Sequence, residues 1–228
     1  MTEFEVSTSW LVNAWFGCRK HDVLPRMCIS KDEIKITALP KNGGGMRVSR
    51  LKIKSTGFAS IEVSDALRVF IKRISAYPVS TWSIQNKQLT ISVESSSAAI
   101  QYTFPKIHFI ENNYIIPDEK EDIHVSVVTS DWFDLWQTIP PKGLIKISIS
   151  KQSKVISMNH LKGRWKGAIY ARKKPNKNAE VTIDTAVAKS VFVEPTSNTF
   201  SELIFKKVGV FQWKSDMVDV YVAPYDCD

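Results

Sequence analysis

The sequence predicts an α+β fold of two similar domains, each built from antiparallel sheets with one or two short helices. Three observations carry this reading. Most of the chain falls into short alternating segments divided by turn residues, the mark of half-buried strands. Few segments carry a helical period. The two halves echo one another, "FEVSTSWLVNAW" near the start against "VSVVTSDWFDLW" from Val125. Repetition at that scale implies two copies of one supersecondary plan, and 228 residues suffice for two domains of about 100–120 residues each. The expected division is a first domain over 1–106, a connector over 107–123 and a second domain over 124–228.

In chain order, "SWLVNAWFGCRKHD" sets Leu11, Val12, Trp15 and Phe16 on one helical face. "RMCISKDEIKITAL" and "MRVSRLKIKSTGFASIEV" read as strands, with Asn42-Gly43-Gly44-Gly45 as the turn between them. "SDALRVFIKRISA" returns to a helical period through Leu67, Phe70, Ile71 and Ile74, with Ser64 or Asp65 as N-cap. "TWSIQNKQLTISVES" is a strand pair turned at Asn86-Lys87, and "AAIQYTFPKIHFI" follows the turn at Ser95-Ser96-Ser97.

The second half repeats the order. Trp132, Phe133, Trp136 and Ile139 predict a helix capped by Ser130 and ended by Pro140. Strands follow in "LIKISISKQSKVISMN", "RWKGAIYARK", "AEVTID", "VGVFQWKS" and "DVYVAP", with a turn at Pro175-Asn176. Each half passes from its first helix into an Ile-Ser-Lys strand, at Ile29-Ser30-Lys31 and Ile149-Ser150-Lys151.

Composition narrows the function classes. A 43% hydrophobic and 24% charged chain is an ordinary globular one, and no apolar run approaches the roughly 20 residues a bilayer helix needs. The opening "MTEFEVSTSW" lacks a basic region before an apolar core, so no secretory leader is expected. Cys18, Cys28 and Cys227 are odd in number and have no CxxC spacing, which favours a reducing compartment. Net charge +8 and a pI near 9.3 favour a polyanionic partner. His21, His108, His124 and His160 have no zinc spacing with the cysteines, and no GxSxG, Walker or GxGxxG motif is present. No catalytic residues, metal or cofactor are expected.

Four pieces in order resemble the sliding clamp family of proliferating-cell nuclear antigen. "FEVSTSWLVNAW" is similar to that family's opening strand and first helix, and "LKIKSTGFASIEVSDALRVFIKRIS" to its paired strands, "GF" turn and second helix. "NNYIIPDEKEDIHVSV" resembles the interdomain connector, and "SDMVDVYVAPYD" the closing strand and tail. Where such clamps carry a fourth helix, this chain offers only "DTAVAKSVFVE", so a short helix or none is expected.

The resemblance implies a DNA polymerase processivity factor that tethers replication proteins to duplex DNA, with helices on the DNA-facing side. Implied partners are double-stranded DNA, a DNA polymerase and other clamp-binding proteins, a clamp loader, and further copies of the chain, with a trimeric ring ahead of a monomer or hetero-oligomer. Its place would be intracellular, in the nucleus or at a site of viral replication, without a membrane partner. The alternatives are a checkpoint-type clamp subunit or a monomeric DNA-binding polymerase accessory factor, with a transcription or structural scaffold of the same fold behind them.

A sliding protein needs phosphate-directed contacts without base readout. Arg68, Lys72 and Arg73 form a basic ridge off the apolar stripe of the second helix, and Arg19 and Lys20 suit the end of the first. Lys189 completes the expected DNA-binding set. The third helix instead carries Asp131 and Asp134. "LKGRWKGAIYARKKPNK" gathers seven cations around Trp165 and Tyr170, either a nucleic-acid surface of its own or a basic strand face running into a solvated tip. By resemblance its strand, with Ile169 and Ala171, would meet Ile100, Tyr102 and Phe104 of a neighbouring subunit. Leu39, Pro40, Tyr114, Ile115, Ile116, Pro117, Ala223, Pro224 and Tyr225 would wall a pocket for a partner's peptide. The acidic run Asp118–Asp122 would keep the connector solvated.

Overall fold

The computed structural model describes residues 1–16, 25–39, 44–105, 122–192 and 200–225. It divides into two compact units, residues 1–41 with 48–115, and residues 42–47 with 116–228. No described helix is long and apolar enough to cross a membrane.

The first unit runs β1 (Thr2–Ser7), α1 (Thr8–Phe16), β2 (Arg26–Ile29), β3 (Glu33–Ala38), β4 (Gly45–Lys52), β5 (Ala59–Glu62), α2 (Asp65–Arg73), β6 (Val79–Gln85), β7 (Gln88–Glu94) and β8 (Ala99–Phe104). Its strands order as β1-β6-β7-β8 and β5-β2-β3-β4. Alternation decides which side chains turn inward: β6 and β7 bury every second residue. Trp82 lies 5.7 Å from Phe4 and 6.0 Å from Trp15, ring to ring, and Leu11, Ile34, Ile61, Leu67 and Ile71 are fully buried in the same unit. Burying one such aliphatic side chain contributes about 1.5–3 kcal/mol. Asn86 and Lys87 both take positive φ, 50° and 62°, the two-residue hairpin geometry matched to strand twist.

The second unit runs β9 (Ile123–Val128), α3 (Thr129–Thr138), β10 (Leu144–Ile149), β11 (Val155–His160), β12 (Lys166–Tyr170), β13 (Ala179–Asp184), α4 (Thr185–Val191), β14 (Phe200–Phe205), β15 (Phe211–Lys214) and β16 (Val218–Val222). Its strands order as β12-β11-β10-β13 and β16-β15-β14-β9, with the opening residues of β4 beside β16. There the Ala223 amide donates to the Gly44 carbonyl at 2.8 Å. The core stacks Trp132, Trp136, Phe192, Phe211 and Trp213, the tightest ring pair being Trp136–Phe192 at 4.4 Å.

The units are copies of one plan. Element order and sheet order correspond throughout, β1 to β9, α1 to α3, and so on to β8 and β16. Register corresponds too: Ile29 pairs with Ile34 and Ala59, and Ile149 with Ile156 and Ala179. Two similar domains of antiparallel sheets with short helices are therefore present, as the strand pattern and repeat predict.

The open expectation at the fourth helix resolves to a short one, and three further details differ from the sequence reading. The fourth helix exists: Asp184 Oδ1 accepts from the amides of Ala186 at 2.7 Å and Val187 at 3.1 Å, which starts α4. The third helix begins one residue before the expected Ser130 cap. Its N-cap is Val128, whose hydrocarbon side chain offers no acceptor, and the Thr129 hydroxyl is engaged with Ser201 at 2.7 Å. Phe200–Phe205 forms β14, a strand the sequence reading does not identify. Asp122, assigned to a solvated acidic run, is fully buried, with Oδ2 3.2 Å from Lys206 Nζ and Oδ1 accepting from the Lys207 amide at 3.1 Å. That geometry ties the start of the second copy to the end of β14.

Candidate nucleic-acid and assembly surfaces

The α2 helix is built to show one face. The Ser64 side chain accepts from the Leu67 amide and caps it, and Leu67 and Ile71 turn inward. Helical spacing then leaves Lys72 and Arg73 exposed in the last turn, where cations also suit the helix dipole. Arg68 stands one turn earlier with Nη1 3.5 Å from Asp65 Oδ1, so its charge is partly answered within the helix. Phe70, half-buried, leaves the core and stacks on β8: its ring lies 5.2 Å from Tyr102 and 5.8 Å from Phe104, which are 4.7 Å apart. Nothing in the residue pattern pairs these three rings, since their contact depends on how α2 crosses the sheet.

On the second unit the counterpart of α2 carries less charge. Lys189 of α4 reaches the Gln137 carbonyl at 3.3 Å and so caps the C-terminal end of α3 with a cation. Asp131 and Asp134 are exposed on α3.

Both strands expected at a subunit seam are sheet edges, β8 in the first unit and β12 in the second. Ile100 and Tyr102 are exposed, Tyr102 at 49%, whereas Phe104 is buried under Phe70. On β12 the strand alternation turns Ile169 and Ala171 into the core of their own unit, and the outward residue between them is Tyr170, 74% exposed. Exposed edges with apolar side chains invite pairing with another chain.

Of the expected peptide pocket, Leu39 is half-buried after β3. Ala223 and Tyr225 are exposed around a half-buried Pro224, and the Tyr225 amide donates to Thr182 at 2.8 Å. Pro40, Tyr114, Ile115, Ile116 and Pro117 lie outside the described residues, as do Arg19 and Lys20. Among the described residues no three His, Cys, Asp or Glu side chains converge as metal ligands.

No family model and no curated protein matches this sequence; solved structures do. A DNA polymerase III beta subunit from Thermotoga maritima superposes over 100% of this chain and 65% of its own, at 11% identity and TM-score 0.74. A DNA polymerase III beta chain from Streptococcus pneumoniae does so over 100% and 66%, at 13% identity and TM-score 0.70. This chain thus spans just under two thirds of either bacterial chain. A chain of the PCNA2–PCNA3 complex from Sulfolobus tokodaii matches over 97% of this chain and 98% of its own, at 11% identity and TM-score 0.66. Duplicated units, matched sheets and these superpositions lead to one structural conclusion: the chain has the sliding-clamp fold.

Proposed function

We propose that this protein is a non-catalytic DNA polymerase processivity factor, a tether that holds replication proteins on duplex DNA without reading sequence. The observation that carries the proposal is the open edge of β8. Strand registers make Tyr102 the counterpart of Val220 on β16. Val220 is fully buried, with the opening of β4 beside its strand, while Tyr102 stands half exposed. Because β12 is the counterpart of β4, a second copy's β12 would lie beside β8 as the opening residues of β4 lie beside β16. Head-to-tail pairing of that kind makes a ring where its rotation closes and a filament where it does not; the ring proposed here is a trimer. Arg68, Lys72, Arg73 and Lys189, with Arg19 and Lys20, would meet phosphates by charge alone. The tail Ala223–Tyr225, with Leu39, Pro40 and Tyr114–Pro117, would hold a polymerase's peptide, and a clamp loader would open the ring. The protein would work in the nucleus or at a site of viral replication.

Retention on DNA tests the reading. The protein is expected to stay on closed circular duplex and to run off after linearisation, in a single sedimenting species larger than the monomer. Equal loss from circular and linear DNA would remove the topological tether. A monomer that still binds duplex would fit the second reading, a charge-bound accessory factor, which the net charge of +8 favours.

A further inference from the structure

The cations of the second unit do not all belong to the helices. The turn at 150–154 and the loop at 171–178 lie together at one end of the sheet. The Ala171 amide donates to the Lys154 carbonyl at 2.7 Å, and Asn178 Oδ1 accepts from the Lys151 amide at 2.9 Å. Between them the two segments carry Lys151, Lys154, Arg172, Lys173, Lys174 and Lys177, and no Asp or Glu. All six are exposed, and none forms an ion pair among the described residues.

The first unit provides an internal control. There the amide just after β4, that of Ile53, donates to the Asp32 carbonyl at 3.0 Å, the bond equivalent to Ala171–Lys154. The same backbone plan thus places an aspartate where the second unit has Lys154. Glu33 follows it and pairs with Lys35 at 3.0 Å. The scaffold does not require six unanswered cations at this corner, because its other copy carries only Lys31 and Lys54 there, beside Asp32 and Glu33.

Flat groups stand beside the charge. The Arg172 guanidinium lies over the Phe200 ring, 3.9 Å from its centroid, and so is held as a platform. Tyr170 sits opposite Val155, next to Lys154, and is 74% exposed. Cations that follow a phosphate chain, together with rings and guanidinium planes that stack on bases, suit single-stranded nucleic acid. A duplex hides its base faces, and an anionic membrane gains nothing from a stacked guanidinium. We infer that the 150–154 and 171–178 corner of the second unit binds single-stranded nucleic acid, as a surface separate from α2.

The test uses the full chain and a labelled oligothymidylate about 16 nucleotides long, the upper site size for one such surface. Lys154→Ala, Lys173→Ala, Lys174→Ala and Lys177→Ala combined should lower the slope of log affinity against log salt by about 3, from roughly 0.7 per phosphate contact. Tyr170→Ala should weaken binding about five- to 150-fold, the range for losing one stacked base. Both variants should keep the parent's circular dichroism spectrum, and the fourfold variant its retention on circular duplex. Overturning results are an unchanged oligonucleotide affinity in the fourfold variant, an equal loss on duplex of the same length, or capture by phosphatidylserine vesicles without oligonucleotide binding. Because oligonucleotide affinity and retention on circular duplex are measured separately, this surface and the tether can fail independently.

Discussion

Lys206 and Asp122 show how much a single pair can decide. Both side chains are fully buried, 3.2 Å apart, and Asp122 also accepts from the Lys207 amide. Replacing a buried pair as a whole is often tolerated, but removing one partner strands the other's charge and costs about 3–5 kcal/mol. Lys206→Met is therefore expected to lower stability by that amount in denaturant unfolding, and Asp122→Asn with Lys206→Met to recover much of it. No recovery in the double variant would mean that the pair is not the source of the loss. The sequence could not disclose this contact. Asp122 closes an acidic run that reads as solvated, and its partner lies 84 residues away. The caps were legible where their geometry is local, as at Ser64. Ser130 was misread because α3 already begins at Thr129, whose hydroxyl meets Ser201, distant in sequence.

Among the elements, strands with strict alternation could be read directly, and β10 with β11 falls on the stretch assigned to them. β14 escaped because its last three residues, Ile204 among them, are all buried and break the alternation. The α2 helix was legible in period, cap and charge, but not in its contact with β8 through Phe70. That contact leaves Lys72 and Arg73 free in the last turn, with Arg68 held to Asp65 at 3.5 Å. If α2 faces phosphate, changing Arg68, Lys72 and Arg73 together to Ala should reduce duplex affinity. It should also lower the slope of log affinity against log salt by at most about 2.7, from roughly 0.9 per contact. The Arg68–Asp65 pair should bring the measured change below that limit. A slope identical to the parent's would take the helix out of the interface.

At the scale of the whole molecule, duplication gives each position of one unit an equivalent in the other. One plan is used twice, and its two copies differ at the edge formed by β8 in one and β16 in the other. The residues of β16 are buried where β4 begins beside them, while those of β8 are open. The same substitution should therefore have different consequences at equivalent positions. Val220→Asp places an unpaired charge in a closed core and should cost more than about 4 kcal/mol, enough to threaten folding. Tyr102→Asp loses ring contacts with Phe70 and Phe104, worth about 1–3 kcal/mol together, and should leave a folded chain. If a second copy covers β8, however, the carboxylate would be buried at the seam, and sedimentation velocity should show the assembled species replaced by monomer. Tyr102→Phe keeps the ring and should assemble as the parent does. An unchanged sedimentation profile for Tyr102→Asp would mean that β8 stays open in solution, and the tether would then have to hold DNA by charge without enclosing it.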